Sequence, residues 1–271
     1  MASLQEAIGA IRTQPEVRHI VSISGGKDSA ALAVYLRQNY PEIPAEYVFC
    51  DTCCELPETY EYLERLQGLL GKQIIRLNAL DLLGVAHKPT RNPFDYWWRE
   101  VYGCYLPSPR SRWCTRVLKI APFEYYVGDS FVFSYIGIRG DEDRLGYTAK
   151  KPPKLSQRPN IVPVYPFKDD GIGLADVKRI LEESGLGLPE YYSWRSRSGC
   201  YFCFYQQIGE WQGLRERHRE WFERAKAYET KLDGKQFTWV DGKTLGELEK
   251  IEERYPVPSM DEVEGCAICH L

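Results

Sequence analysis

Apolar positions come in short blocks along the chain, and the spacing inside the blocks switches between strand-like and helix-like. His19 to Ser24 (HIVSIS) is a partly β-branched run that stops at Gly25-Gly26, which predicts a buried strand. Asp28 to Asn39 carries a helical pattern that closes before Pro41. Ala45 to Cys50 predicts a second strand, Pro57 to Leu70 a second helix, and Gln73 to Leu77 a third strand. Pro57 suits the first turn of its helix, and Glu58 and Glu61 lie near the positive end of the helix dipole. The β-α-β-α-β order predicts an α/β fold with an open, mostly parallel sheet and right-handed crossovers.

The second half is less regular. His87 to Arg112 is aromatic, with Trp97 and Trp98 read chiefly as packing residues and secondarily as a stacking platform. Thr115 to Tyr126 predicts a helix and Phe131 to Ile138 a strand. Arg139 to Asn160 reads as a long polar loop, Ile161 to Val164 as a last short strand, and Leu174 to Ser184 as a helix. Cysteine and aromatic residues cluster between Tyr191 and Tyr205, before a charged helix from Gly209 to Lys231. This divides the chain into an α/β nucleotide-binding part, residues 1–188, and a cysteine-rich helical part with a C-terminal tail, residues 189–271.

Composition narrows the class. Of 271 residues, 44% are hydrophobic and 27% charged, values that exclude wholesale disorder. The longest apolar run, Ala30 to Leu36, is far short of a membrane span, and the N-terminus lacks the basic-then-apolar order of a secretory signal. A soluble, cytoplasmic chain with no membrane partner is therefore expected. A net charge of −3 excludes a uniformly basic nucleic-acid binder but leaves room for a local basic face. Two stretches carry cations and no acid: Arg110, Arg112, Arg116 and Lys119, then Arg144, Lys150, Lys151, Lys154 and Arg158. A solvated surface explains either one alone; the two together suit a polyanionic ligand.

Ser24-Gly25-Gly26-Lys27-Asp28-Ser29 joins the first strand to the first helix, and that setting points to an anion. The glycines allow a sharp turn and close approach, and the helix N-terminus offers unpaired N–H groups. Ser24 and Ser29 add hydroxyl donors, and Lys27 adds a point charge. Asp28 either fixes the loop or holds Mg²⁺ through water. An ordinary glycine turn is the plain alternative. The spacing differs from the Walker loop. Asp51 closes the second strand, where ligands of open α/β sheets bind; contact with ribose or metal and simple capping both fit it.

Nine cysteines without a secretion signal favour metal, cluster or thiol chemistry over disulfides. Cys200-Tyr-Phe-Cys203 brings two thiols within reach of one centre. Cys50 and Cys54 read as buried thiols, and His19 and His87 as structural.

Several segments are similar to one known family. Ser24 to Ser29 resembles its phosphate loop. Asp51-Thr52-Cys53-Cys54-Glu55-Leu56-Pro57-Glu58-Thr59 resembles its D-T-G-x-x-x-P-E-T segment, with Cys53 in place of glycine. Arg112-Trp113-Cys114-Thr115-Arg116 with Leu118-Lys119-Ile120, Gly137-Ile138-Arg139 with Asp141-Glu142, and Ser198-Gly199-Cys200 with Cys203 follow in the same order. Over residues 17–210 the chain resembles the PP-loop ATP pyrophosphatases of the phosphoadenosine phosphosulfate reductase family, near its DNA phosphorothioation branch. The resemblance implies an adenine nucleotide α-hydrolase-like fold that binds ATP with Mg²⁺ and cleaves between the α and β phosphates. It implies a nucleotide site at Ser24, Gly25, Gly26, Lys27, Asp28, Ser29, Arg116 and Lys119, with Lys27, Asp28, Asp51 and Arg139 as catalytic residues. Arginines there hold phosphates bidentately, although a surface salt bridge fits any single cation equally.

The resemblance also implies a 4Fe–4S cluster, with Cys104, Cys114, Cys200 and Cys203 as the thiolate set and zinc as the alternative. Cys266 and Cys269 are rivals for the place of Cys104. Glu264-Gly265-Cys266-Ala267-Ile268-Cys269-His270 is a scrambled echo of the reductases' catalytic E-C-G-x-H tail. The leading expectation is an ATP pyrophosphatase that activates a nucleic acid, DNA foremost, as an adenylate for sulfur incorporation, served by a cysteine desulfurase or other sulfur-transfer partner. The rivals are a thiol-dependent sulfonucleotide reductase, with Cys266 or Cys269 as nucleophile, and a non-catalytic nucleotide-binding subunit.

Overall fold

The computed structural model describes residues 1–82, 84, 92–142, 156, 158–232 and 234–259. An amphipathic helix α1 (Leu4–Thr13) opens the chain, started by a capping box between Ser3 and Glu6. Then follow β1 (Arg18–Ile23), α2 (Lys27–Asn39), β2 (Ala45–Asp51), α3 (Pro57–Leu70) and β3 (Ile74–Asn78). After an aromatic stretch, α4 (Ala121–Val127) leads into β4 (Val132–Tyr135), β5 (Ile161–Val164) and α5 (Leu174–Glu183). The main sheet has five strands in the order β3-β2-β1-β4-β5, all parallel, with Ser22 opposite Val48 and Val21 opposite Tyr135.

Burial explains the layering. Alternate residues of β1 serve opposite faces: Val21 and Ile23 join the core under α1, α2, α3 and α5, while Ile20 joins a smaller core with Phe123 and Val127 of α4. A third core is aromatic: Phe94, Trp98, Trp113, Tyr201, Phe202, Trp211 and Trp239 pack together. It draws on residues from both sides of position 188, so the cysteine-rich part is built onto the segment around Phe94–Trp113. Among the described residues no helix is long and apolar enough to cross a membrane.

Three elements differ from the sequence pattern. The strand expected to reach Ile138 ends at Tyr135, because Gly137 runs against the backbone of Asp28. The charged helix from Gly209 is two helices, α6 (Ile208–Arg217) and α7 (Arg219–Ala227), broken at His218, whose backbone leaves helical geometry at φ −135° and ψ 61°. The helix at Thr115 contains a π-helical turn, Arg116–Ile120, between Trp113–Thr115 and α4. Such turns re-aim side chains and gather at functional sites.

Candidate active site

Strand order reverses around β1: β2 and β3 lie on one side, β4 and β5 on the other. The crevice beyond the C-terminal ends of β1 and β4 is where ligands of open α/β sheets bind. Ser24 to Ser29 and Gly137 to Arg139 are the two loops that border it. Gly25 sits at φ +77°, a conformation glycine adopts without strain, and a β-carbon there would lie 2.5 Å from Thr59 Cγ2. The two serines brace the turn. Ser29 Oγ receives the Ser24 N–H at 3.0 Å and lies 2.9 Å from Ser24 Oγ, which receives the Gly26 N–H at 3.2 Å.

Lys27 and Arg139 flank the Asp28 carboxylate. Lys27 Nζ is 3.1 Å from one oxygen and Arg139 Nη1 is 3.1 Å from the other, with Lys27 1% and Arg139 5% exposed. Burial opposes the Arg139 charge, but Asp28, Glu142 and Asp141 more than offset it and hold its pKa above the ordinary value. Arg139 thus straps the loop after β4 to the phosphate loop. Arg116 is more than half exposed and paired with Glu124 at 3.1 Å. Lys119 is turned inward instead, 3.9 Å from the fully buried Glu55, whose carboxyl burial pushes up.

Asp51 lies at the end of β2, and its Oδ1 accepts from the Cys53 N–H and the Tyr60 hydroxyl, both at 2.8 Å. Cys53, which replaces the family's glycine, keeps the glycine-like backbone at φ +55°. A non-glycine residue there costs about 1–2 kcal/mol.

Cys114, Cys200 and Cys203 line one small cavity with Thr52, Thr115 and Lys119. Cys104 is not among the residues lining it. Thr52 Oγ1 lies 3.2 Å from Cys200 Sγ, and the buried Thr115 hydroxyl has no hydrogen-bond partner. Burial pushes the Cys114 thiol up to about 12 and Cys200 well above its ordinary value, so neither ionises at neutral pH without a compensating cation. Soft, buried thiols with a polar wall suit a thiolate-held metal centre, whose cation supplies that charge. Among the described residues no group of three His, Cys, Asp or Glu is gathered into a ready metal shell, and all seven described cysteines are free. Cys266, Cys269, His270, His87, Arg144, Lys150, Lys151 and Lys154 lie outside the described residues.

The sequence pattern did not single out the residues that join the two sites. The Tyr191 hydroxyl donates to Gly25 O at 2.7 Å, and the Lys27 N–H reaches the Tyr192 hydroxyl at 3.4 Å. Tyr192 also places its ring 5.4 Å from Lys27 Nζ, and Ser198 Oγ would be 2.6 Å from a β-carbon on Gly26. One segment, residues 191–203, therefore touches the phosphate loop at one end and carries two of the cavity's thiols at the other. For Tyr191 and Tyr192 the signal in the sequence is the crowding of aromatic residues before Cys200, and for Ser198 it is the Ser198-Gly199-Cys200 segment.

The chain is similar to several known proteins. An uncharacterised protein of Methanocaldococcus jannaschii is 26% identical over 216 residues, 76% of this chain and 41% of that protein. An uncharacterised nin-region protein of Escherichia phage lambda is 29% identical over 160 residues, 53% of this chain and 52% of that protein. The chain thus spans about half or less of the length of these relatives. Among solved structures, phosphoadenylyl-sulfate reductase from Candida auris aligns over 71% of this chain and 84% of its own, at 15% identity and a TM-score of 0.46. The U34-tRNA thiolase NcsA from Methanococcus maripaludis, solved with its [4Fe-4S] cluster, aligns over 98% of this chain and 86% of its own, at 16% identity and a TM-score of 0.39. Residues 18–212, which include the phosphate loop, the crevice and the thiol cavity, match the phosphoadenosine phosphosulfate reductase domain, and the chain belongs to that family.

Proposed function

We propose that the chain is an ATP pyrophosphatase that activates a nucleic-acid oxygen for replacement by sulfur, as in DNA phosphorothioate modification. The observation that carries this reading is the juxtaposition of a phosphate loop with a buried thiol cavity through the single segment 191–203. A nucleotide site alone would need no such cavity.

The β- and γ-phosphates lie against the turn braced by Ser24 and Ser29, at the N-terminus of α2. Lys27 and Arg139 neutralise charge that grows on the leaving pyrophosphate, and Asp28 keeps both cations placed until the phosphates arrive. Asp51, fixed by Tyr60, orients the ribose side of the nucleotide. The acceptor oxygen forms a bond to the α-phosphorus, the α–β bridging bond breaks, and pyrophosphate leaves with the electron pair. A sulfur nucleophile delivered by a cysteine desulfurase or other sulfur-transfer partner then displaces AMP. Mg²⁺ at the phosphates supplies further charge neutralisation. Cys114, Cys200 and Cys203 would hold a cluster or zinc, which supplies a soft site for sulfur. Cys104 is the remaining described candidate for a fourth thiolate.

A second reading has support from the family itself: thiol-dependent reduction of a sulfonucleotide, with a cysteine of the 260–271 segment attacking sulfur and a thioredoxin-like protein resetting it. Anaerobic incubation separates the two. The first predicts AMP and pyrophosphate from ATP, stimulated by DNA or RNA. The second predicts thioredoxin-dependent sulfite release from adenosine phosphosulfate or its 3′-phosphate, lost in Cys266→Ser or Cys269→Ser. ATP binding without turnover of any of these substrates would leave only a nucleotide-binding subunit.

A further inference from the structure

Arg195 is a buried cation, 1% exposed, on the segment that carries Cys200 and Cys203. Its guanidinium donates to the carbonyls of Gly199 and Cys200 at 3.0 and 2.8 Å, and its Nε is buried with no hydrogen-bond partner. Among the described residues no carboxylate forms an ion pair with it. The buried Glu55, whose nearer cation is Lys119, borders Cys200 at 3.7 Å. A guanidinium in this position is costly unless an anion stands nearby. The geometry shows where that anion belongs. A β-carbon on Gly199 would lie 3.9 Å from both Arg195 Nη2 and Cys203 Sγ, so guanidinium and sulfur border the same glycine. Carbonyls alone would satisfy a neutral donor equally well; they do not balance a full charge.

We propose that Arg195 is the counter-charge and positioning residue of the thiol centre. Its fork fixes the backbone of the loop that carries Cys200 and Cys203, and its charge offsets the negative charge those cysteines bear once they ligate metal as thiolates. The proposal rests on the reading of Cys114, Cys200 and Cys203 as metal ligands. It goes beyond that reading by assigning the centre a net negative charge and naming the residue that balances it.

The test uses the full chain, loaded anaerobically with iron and sulfide or with zinc, and the variants Arg195→Met, Arg195→Lys and Arg195→Gln. Thermal melting of the metal-free proteins first establishes that each variant folds; Arg195→Gln, which keeps N–H donors without charge, replaces Arg195→Met if the latter does not. Removing the charge should speed metal loss to a chelator by about 10–100-fold, the range for residues that support metal ligands. With a cluster bound, it should also move the midpoint potential to more negative values, because a lost cation favours the less negative oxidised form. Arg195→Lys should keep a wild-type potential while losing part of the metal retention, since it keeps the charge and not the fork. A folded Arg195→Met or Arg195→Gln with wild-type potential and wild-type chelation rate overturns the proposal. A wild-type chain that takes up neither iron nor zinc overturns the metal-centre reading, and this proposal with it.

Discussion

Replacing Gly137 by alanine tests whether the loop after β4 and the phosphate loop meet as described. A β-carbon at Gly137 would stand 2.9 Å from the Asp28 carbonyl oxygen and 3.1 Å from its carbon. Ordinary contact begins about 0.5 Å farther out, and the obstructing atoms are backbone at the first turn of α2, so no side chain can swing aside. Overpacking of this kind costs about 1–3 kcal/mol. At about 2–4 °C per kcal/mol for a chain near this size, melting should fall by roughly 2–12 °C. If about 1.4 kcal/mol of that strain opposes the nucleotide-ready loop, the ATP Kd rises about tenfold. Gly68→Ala is the matched control. Gly68 lies exposed inside α3 with nothing within 4 Å of a β-carbon, so the same substitution should stabilise by about 0.5–1 kcal/mol. Differential scanning calorimetry and calorimetric ATP titration read both effects. Gly137→Ala with unchanged melting and unchanged ATP affinity would refute the close approach of the two loops.

Asp28→Asn leaves the buried Lys27 and Arg139 short of one counter-charge, so stability should fall by about 3 kcal/mol; added pyrophosphate should raise its melting temperature more than the wild type's, because the anion restores the balance. Equal pyrophosphate shifts would argue against phosphate binding there. His19 is buried with Nδ1 2.7 Å from the Tyr135 hydroxyl, and burial holds its pKa below the ordinary 6.5. Between the folded and unfolded values the unfolded chain binds the extra proton, so its contribution is intact above pH 6.5 and is lost as pH falls below it; His19→Gln should flatten that part of the melting-versus-pH curve, and parallel curves would exclude the effect. Cys114→Ser, Cys200→Ser and Cys203→Ser should each abolish stable metal uptake in anaerobic material, whereas Cys104→Ser should lower it only if Cys104 completes the set. Full iron or zinc content in Cys200→Ser would dismiss the cavity as a metal centre.

The sheet was legible because the strands from His19 to Leu77 are short apolar runs, the first stopped by Gly25-Gly26 and the second by Asp51. The parallel order follows from the alternation with helices. The setting of Ser24 to Ser29 between a strand and a helix was legible for the same reason, since the two glycines end the apolar run and the helical pattern starts directly after them. Arg139 was singled out in the sequence, but its embrace by Asp28, Asp141 and Glu142 is a tertiary fact that no spacing encodes. Cys104 was grouped with Cys114 as the nearest further cysteine; Cys114, Cys200 and Cys203 line the cavity, and which thiols a fold gathers depends on tertiary packing that sequence nearness does not encode. Tyr191, Tyr192 and Arg195 escaped notice because they act through backbone groups of residues remote in sequence or through a carbonyl fork, contacts with no periodic signature. His218 broke a charged helix whose composition is helical throughout; its side chain reaches Glu58 on α3 at 2.6 Å, and that long-range contact accompanies the break.

The position of bond cleavage in ATP tests the central claim most directly. Anaerobically purified protein with Mg²⁺ and ATP, with and without DNA, can be followed by phosphorus NMR and by chromatography of the nucleotide products. The account predicts AMP and pyrophosphate in equal amounts, with release lost in Ser24→Ala and Ser29→Ala variants that still melt cooperatively. ADP and orthophosphate as the products, or release of AMP and pyrophosphate undiminished in both serine variants, would contradict it.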